Sequence, residues 1–388
     1  MLLLSYATMK TIEQGPIRPP SEARSLLLRL TRNCPWNQCL FCPVYKGQEF
    51  SHRSTEEIKR EIDLLGAIVE DIQRLSWQAG CGGKVTSAVL SLLLAEGAST
   101  LMHRQVAHWL YLGEGSVFLQ DANSLIMEPE DLAEVLRYLR SRVPGIRRIT
   151  SYARSRTLAR RSLQDLVLLR EAGLDRIHIG LESGYDPLLR FMRKGVTAAD
   201  HVKAGCLVRE AGISLSEYVM PGLGGQTWWQ EHALATAAVL NEINPDFIRL
   251  RSLRVPRSTS LYEKIAAGEF EPLDDDEVVR EIRLFLEALE GITSTIASDH
   301  IMNLLEEITG TLPDDKNAML AAADRYLALS DADRLIFKVG RWGGAFRALS
   351  DLENTALKRK ISDVVAQWER EAPGQVQRTL REMADQYI

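Results

Sequence analysis

Cysteine and histidine are scarce in this chain, at five and seven of its 388 residues. So few thiols over such a length exclude a disulfide scaffold of the small secreted kind. The histidines (His52, His103, His108, His178, His201, His232 and His300) show no metal-ligand spacing. Long apolar runs are missing too. The most apolar stretch, residues 85–95, falls well short of the roughly 20 residues that a membrane helix needs. The opening Met1-Leu2-Leu3-Leu4 has neither a charged flank nor a long apolar segment, so no signal peptide and a cytoplasmic location are expected. Basic excess is absent: the net charge of −5 speaks against a broad face for nucleic acid. The arginines between Arg137 and Arg161 read as a solvated helical surface. There is no repeat of fixed length and no low-complexity tract.

What the chain does have is alternation. Residues 25–30 form a short apolar run suited to a buried parallel strand. Ser54-Thr55-Glu56-Glu57 then caps a long helix with apolar positions at Ile58, Ile62, Leu65, Ile68, Val69 and Ile72. Strands are expected at residues 116–120, 148–153, 176–181, 215–220 and 247–253, with helices between them and a further strand at 293–297. Strand–helix alternation of this kind implies right-handed crossovers and a parallel sheet. The expected fold class is therefore α/β: a partial (β/α)6 TIM-like barrel at residues 25–260 with a mainly helical C-terminal extension at 261–388. A lead-in occupies residues 1–24, and residues 77–113 are read as an insertion with a helix around 105–112.

Three of the five cysteines stand together in Cys34-Pro35-Trp36-Asn37-Gln38-Cys39-Leu40-Phe41-Cys42. Three thiolates on one loop can ligate three irons of a [4Fe–4S] cluster and leave the fourth iron open for a substrate or cofactor. The competing reading is a zinc knuckle completed by His52 or Cys81. Position favours the cluster, since the loop follows the first strand and active sites of parallel barrels lie on such loops. Cys81 and Cys206 are isolated, so no second cluster is expected.

The stretch from Thr31 to Pro43 resembles the signature of the radical S-adenosylmethionine superfamily. That signature has three residues between its first two cysteines, then two, with an aromatic residue before the third. Phe41 holds the aromatic place, whereas the first gap here is four residues long. The resemblance spans roughly residues 25–255 and is most like the elongator-type and oxygen-independent coproporphyrinogen-oxidase-type branch. It implies a [4Fe–4S] cluster on Cys34, Cys39 and Cys42, bound S-adenosylmethionine, and a low-potential donor of the flavodoxin or ferredoxin type. No cobalamin-binding module and no extra domain of the transfer-RNA methylthiolating kind are expected.

A binding shell for S-adenosylmethionine is expected at the strand ends. Asp121 and Asn123 end the second strand, where the family places a Gly-Gly-Glu segment beside the amino group. Here the Asp121 carboxylate is the candidate acceptor, with a helix-capping role as its competitor. Tyr152 and Arg154 end the third strand. Glu182 and Lys194 have the twelve-residue spacing at which relatives carry a polar residue and then a basic one that pairs with the methionine carboxylate, with Arg193 as the alternative cation. Gly222 and Gly224 lie on a turn after the fifth strand, suited either to close approach of the adenosine or simply to a tight strand-to-helix turn.

For the substrate, Arg249 and Arg251 share one strand face and suit a carboxylate or phosphate, the alternative being salt bridges to Glu182 and Glu217. His300 opens a turn and is a further candidate contact, against a plain capping role. The expected activity is reductive cleavage of S-adenosylmethionine to a 5′-deoxyadenosyl radical that abstracts hydrogen from an acidic small-molecule substrate. The alternatives are a coproporphyrinogen-oxidase-like or haem-handling relative and, in another class, an iron–sulfur electron carrier or zinc-binding adaptor.

Overall fold

The computed structural model describes residues 12–95, 100–371, 373–374 and 376–384. The expectations placed on residues 1–11, the signal peptide among them, lie outside the described residues.

In chain order the strands are β1 (Leu26–Arg29), β2 (Thr31–Arg32), β3 (Ser51–His52), β4 (Ser116–Gln120), β5 (Arg148–Ala153), β6 (Arg176–Glu182), β7 (Ser214–Val219), β8 (Phe247–Leu250), β9 (Thr295–Ala297) and β10 (Gly310–Thr311). The helices are α1 (Thr55–Gln78), α2 (Ser87–Ala95), α3 (Leu101–Leu112), α4 (Pro129–Arg142), α5 (Ser155–Leu158), α6 (Leu163–Glu171), α7 (Asp186–Phe191) and α8 (Ala198–Glu210). They continue with α9 (Gly225–Ile243), α10 (Ser260–Ala266), α11 (Asp275–Ala288), α12 (Lys316–Leu327), α13 (Asp331–Trp342), α14 (Thr355–Glu371) and α15 (Val376–Ala384). This is an α/β fold on a mostly parallel sheet of eight strands, in the order β1-β4-β5-β6-β7-β8-β9-β10. The alternation of short apolar runs and amphipathic helices is what the sequence pattern demands. Among the described residues no helix is long and apolar enough to cross a membrane.

The chain divides into two compact units. The first holds the described residues up to Asn37, Val44–Ile179 and Leu207–Leu215. Its strands β1, β4, β5 and β6 are parallel, with Leu28 opposite Leu119, Phe118 opposite Thr150 and Tyr152 opposite His178. All five residues of β4 are buried, as befits a strand covered on both faces. Helix α1 begins where the Ser54 side chain accepts from the Glu57 N–H, and buries its six expected apolar positions. The insertion is more ordered than its sequence suggests. Its apolar run becomes α2, and α3 starts at Leu101 rather than near 105, because the Thr100 hydroxyl caps it at the His103 N–H. His178 is fully buried, with Nε2 3.6 Å from the Glu22 carboxylate.

The second unit holds Gln38–Pro43, Gly180–Cys206 and the described residues from Ser216 onward. Strands β7, β8 and β9 are parallel here, and β10 joins β9 antiparallel. Strand β8 stops at Leu250, short of the expected residue 253. Beyond it the Asn303 side chain replaces a neighbouring strand, accepting from the Ser252 N–H at 2.9 Å and the Ser252 hydroxyl at 3.0 Å. Helix α11 opens with a reciprocal capping box between Asp274 and Glu277. Further on, Tyr326, Phe337 and Phe346 are fully buried, with Phe337 at 5.9 Å from the Tyr326 ring and 6.1 Å from Phe346. Truncating Phe337 to alanine is expected to cost about 3–5 kcal/mol, through lost transfer energy plus an unfilled cavity. Chemical denaturation of Phe337→Ala against wild type checks this.

Candidate active site

In the first unit the cysteine loop is anchored at both flanks. The backbone N–H of Asn33 donates to Asp121 Oδ2 at 2.9 Å, and the Tyr45 hydroxyl donates to Asp121 Oδ1 at 2.5 Å. Arg29 closes the set, its Nε 2.9 Å from Asp121 Oδ2 and its Nη1 2.9 Å from Glu13 Oε1. Asn33 (φ 67°) and Asn37 (φ 47°) both take the left-handed conformation, which asparagine tolerates better than other side-chain-bearing residues. Asn37 turns its N–H toward Cys34 Sγ at 3.4 Å and its side-chain amide toward the Tyr45 carbonyl at 2.6 Å.

In the second unit the rest of the loop is seated on an apolar cluster. Leu40 and Phe41 are buried among Leu188, Met192, Met220 and Leu261, with Cys39 and Cys42 packed against the same cluster. The Leu40 N–H donates to the Met192 carbonyl at 3.1 Å, and the Leu40 carbonyl accepts from the Leu261 N–H at 3.0 Å. Lys194 Nζ lies 5.7 Å from the centre of the Phe41 ring and 3.2 Å from Glu182 Oε1. Arg193, the alternative cation, is exposed.

Glu182 ends β6 with φ at 64°, in a region where glycine carries no penalty and a β-carbon does. Its side chain bends back over Gly180, where any Cβ would collide with it. A residue held in that conformation is a mark of a used side chain. Close by in charge terms is Glu217, fully buried, with neither carboxylate oxygen hydrogen-bonded. Desolvation pushes its carboxyl well above the usual range, and the Lys194 charge opposes that.

The glycine turn of the same unit is buried and tightly packed. Gly222 (φ 88°) donates its N–H to Glu281 Oε1 at 2.8 Å, and a Cβ on Gly224 would stand 2.7 Å from the Trp228 carbonyl. Trp228 itself packs edge-on against Phe191 at 5.4 Å. Glu281 comes from the C-terminal region, and sequence reasoning missed it because nothing local marks a helical glutamate as buried. Its Oε1 is 3.5 Å from His232 Nε2, close enough for an ion pair. Burial decides otherwise: it pushes Glu281 up to about 8 and His232 down to about 4, so both are neutral at pH 7. His232 Nε2 faces the Met220 carbonyl at 3.1 Å, and Nδ1 faces the Ser183 hydroxyl at 2.9 Å.

The remaining candidates divide. Asn123 is fully buried; its amide donates to the Thr157 hydroxyl at 2.9 Å and its oxygen accepts from the Arg154 N–H at 3.1 Å. That is the turn-capping role. The Arg154 guanidinium lies 5.1 Å from the Trp36 ring, and Tyr152 packs edge-on against Phe118 at 5.1 Å. In the second unit Arg249 is paired with Asp299 at 3.1 Å, and not with Glu182 or Glu217, the alternative partners. Arg251 has no ion pair among the described residues, and its Nε is buried without a partner. His300 accepts at Nδ1 from the Met302 N–H at 3.2 Å, and burial with the Arg251 charge pushes its imidazole down to about 4.

Cys34, Cys39 and Cys42 are half-buried, and none of them is in a disulfide. Among the described residues no three His, Cys, Asp or Glu side chains stand together as a metal set. By chemistry the three thiols fit an iron–sulfur cluster, being sulfur donors on one loop with a backbone N–H already directed at one of them. The zinc alternatives are engaged elsewhere. Cys81 Sγ lies 3.5 Å from the Thr86 hydroxyl, and His52 packs on Phe50 at 4.9 Å.

A family model described as the Radical SAM superfamily matches residues 104–237, a stretch that begins after the cysteine loop. The tRNA uridine(34) acetyltransferase of Methanocaldococcus infernus is 26% identical over 122 residues, which is 31% of this chain and 23% of that protein. A tRNA-2-methylthio-N(6)-dimethylallyladenosine synthase of Prosthecochloris aestuarii is 22% identical over 178 residues, covering 45% of this chain and 37% of that protein. The structure of the radical S-adenosylmethionine methyltransferase TsrM from Kitasatospora setae aligns at a TM-score of 0.44 and 14% identity, over 88% of this chain and 61% of TsrM. The chain spans about a quarter of the length of the acetyltransferase. The likeness to the radical S-adenosylmethionine superfamily rests on residues 104–237, about a third of the chain, and on these relatives. A second tRNA uridine(34) acetyltransferase, from Methanocaldococcus jannaschii, is 28% identical over 111 residues, 28% of this chain and 20% of that protein. The comparisons favour an enzyme over the electron-carrier and zinc-adaptor readings.

The neutral Glu281 carries a pH signature. Between its ordinary value of 4.5 and about 8 the folded chain keeps a proton that the unfolded chain has lost, so wild-type stability falls as pH rises through that window. Glu281→Gln, neutral throughout, is expected to melt at a progressively higher temperature than wild type from pH 5 to pH 8. A constant difference across that range contradicts the assignment.

Proposed function

We propose that Cys34, Cys39 and Cys42 hold the cluster, and that the enzyme abstracts hydrogen from an acidic small-molecule substrate. When bound, the cluster supplies the electron that splits S-adenosylmethionine into methionine and a 5′-deoxyadenosyl radical. The chain's own part is ligation, orientation and exclusion of water. Phe41 keeps the middle of the cysteine loop in an apolar seat. Lys194, the charge partner of Glu182, has the chemistry to face the methionine carboxylate, and Glu182 the chemistry to accept from ribose hydroxyls. Tyr152 and Arg154 are proposed to line the cofactor's side of the first unit. Gly222 and Gly224 hold a turn on which backbone approaches closely. Asn123 serves by fixing the turn that carries Arg154.

The acidic substrate rests on one observation: Arg251 is a half-buried guanidinium with no ion pair among the described residues, beside a His300 that burial keeps neutral. A carboxylate or phosphate is the group that such a fork recognises. Arg249, already neutralised by Asp299, is proposed to orient its neighbour. The donor is expected to be a flavodoxin or ferredoxin. A second reading, transfer RNA as substrate, draws on the printed names of two relatives, and a backbone phosphate would suit Arg251 equally.

Anaerobic protein given iron, sulfide, dithionite and S-adenosylmethionine is expected to release 5′-deoxyadenosine, and Cys39→Ala to release none. Release at wild-type level from Cys39→Ala sinks the ligand assignment. Among carboxylates, phosphates and transfer RNA tested for stimulating that release, a small acid is the expected hit. Losing one charge-assisted contact in Arg251→Ala should then raise the half-saturating concentration about 10- to 100-fold. An unchanged value contradicts the substrate role of Arg251.

A further inference from the structure

We propose that Asp121 is a positioning residue that clamps the two flanks of the cysteine loop, and so sets the loop for cluster assembly. The inference rests on the proposed ligand role of Cys34, Cys39 and Cys42. It replaces the sequence-based expectation that Asp121 accepts from the cofactor's ammonium group.

The carboxylate is fully buried at the end of β4, in the residue that directly follows Gln120. A buried carboxylate accepts about four hydrogen bonds when ionised. Those places are taken. Oδ2 receives Arg29 Nε at 2.9 Å, Arg29 Nη2 at 2.5 Å and the Asn33 N–H at 2.9 Å. Oδ1 receives the Tyr45 hydroxyl. The lead-in closes the remaining side, since a Cβ on Gly15 would stand 2.7 Å from Oδ1. Gly15 is fixed there by paired bonds with the Gln120 amide, at 2.9 and 3.2 Å. Four donors already meet the carboxylate, as many as it commonly accepts.

The donors are not a random selection. Asn33 immediately precedes Cys34, and Tyr45 lies three residues beyond Cys42. Asn33 is tied a second time, its side-chain oxygen 3.1 Å from Arg29 Nη2. Tyr45 also supplies the carbonyl that holds Asn37, whose N–H faces the Cys34 sulfur. A loop that must bring three thiolates to one cluster loses conformational entropy in doing so. Fixing both flanks on one carboxylate removes much of that loss before iron arrives.

The test is cluster retention. Wild type, Asp121→Asn and Tyr45→Phe are reconstituted anaerobically, assayed for iron and sulfide per chain, and exposed to an iron chelator well below their melting temperatures. Support for a metal ligand from behind is commonly worth 10- to 100-fold, so Asp121→Asn is expected to release iron about tenfold faster or more. Tyr45→Phe removes one bond and leaves Arg29 paired; its release should be faster by a smaller factor. Affinity for S-adenosylmethionine falls in both, in step with cluster content. Wild-type release rates in both variants overturn the clamp. So does full cluster content in Asp121→Asn with weakened S-adenosylmethionine binding, which would return Asp121 to the cofactor's ammonium. If Asp121→Asn does not fold, Tyr45→Phe decides alone. A lowered melting temperature with unchanged iron release marks a merely structural role and also overturns the proposal. Wild-type chain that takes up no iron overturns the cysteine assignment instead, and the clamp with it.

Discussion

A carboxylate taken fully out of water must be met by charge and by hydrogen bonds, or it becomes a large liability. Asp121 is met on every side, and most of what meets it belongs to the chain around the cysteines. The pairing joins β1 through Arg29, β4 through the residue that follows it, and the loop through Asn33 and Tyr45. Since Arg29 also holds Glu13, and Glu13 holds Arg32 at 2.8 Å, the lead-in belongs to the same network. The chemistry proposed for the loop depends on that arrangement being made in advance.

The second unit uses charge differently. Glu182 and Lys194 neutralise each other, Arg249 has Asp299, and Glu217 is left buried and unbonded. Arg251 has no ion pair among the described residues. Burial carries the neutral groups, Glu281 and His232, away from their ordinary titration ranges, so around pH 7 they act as hydrogen-bonding groups and not as an ion pair. This keeps the glycine turn fixed by neutral contacts.

Much of the fold was legible because its signals are local. The apolar run at residues 26–29, the cap at Ser54 and the stripe from Ile58 to Ile72 each read directly as strand, helix start and buried face. The insertion resisted because an apolar run of nine residues is as compatible with α2 as with a strand. Strand β10 has two residues, too few for any periodicity. At the site the cysteine loop and Phe41 were picked out from their spacing and the family resemblance, and their ligand role stands as a proposal. Asp121 and Asn123 were picked out but not their partners, which lie 88 and 34 residues away in sequence. Glu281 was missed for the same reason: its bond to Gly222 crosses 59 residues.

The central claim is that three cysteine thiolates hold a four-iron cluster with one iron free of protein. Electron paramagnetic resonance of the reduced, reconstituted chain, recorded before and after S-adenosylmethionine is added, tests it most directly. The account predicts a four-iron signal whose shape changes on addition, because the open iron gains a ligand. A signal indifferent to S-adenosylmethionine, or a chain that binds zinc and forms no cluster, would contradict it.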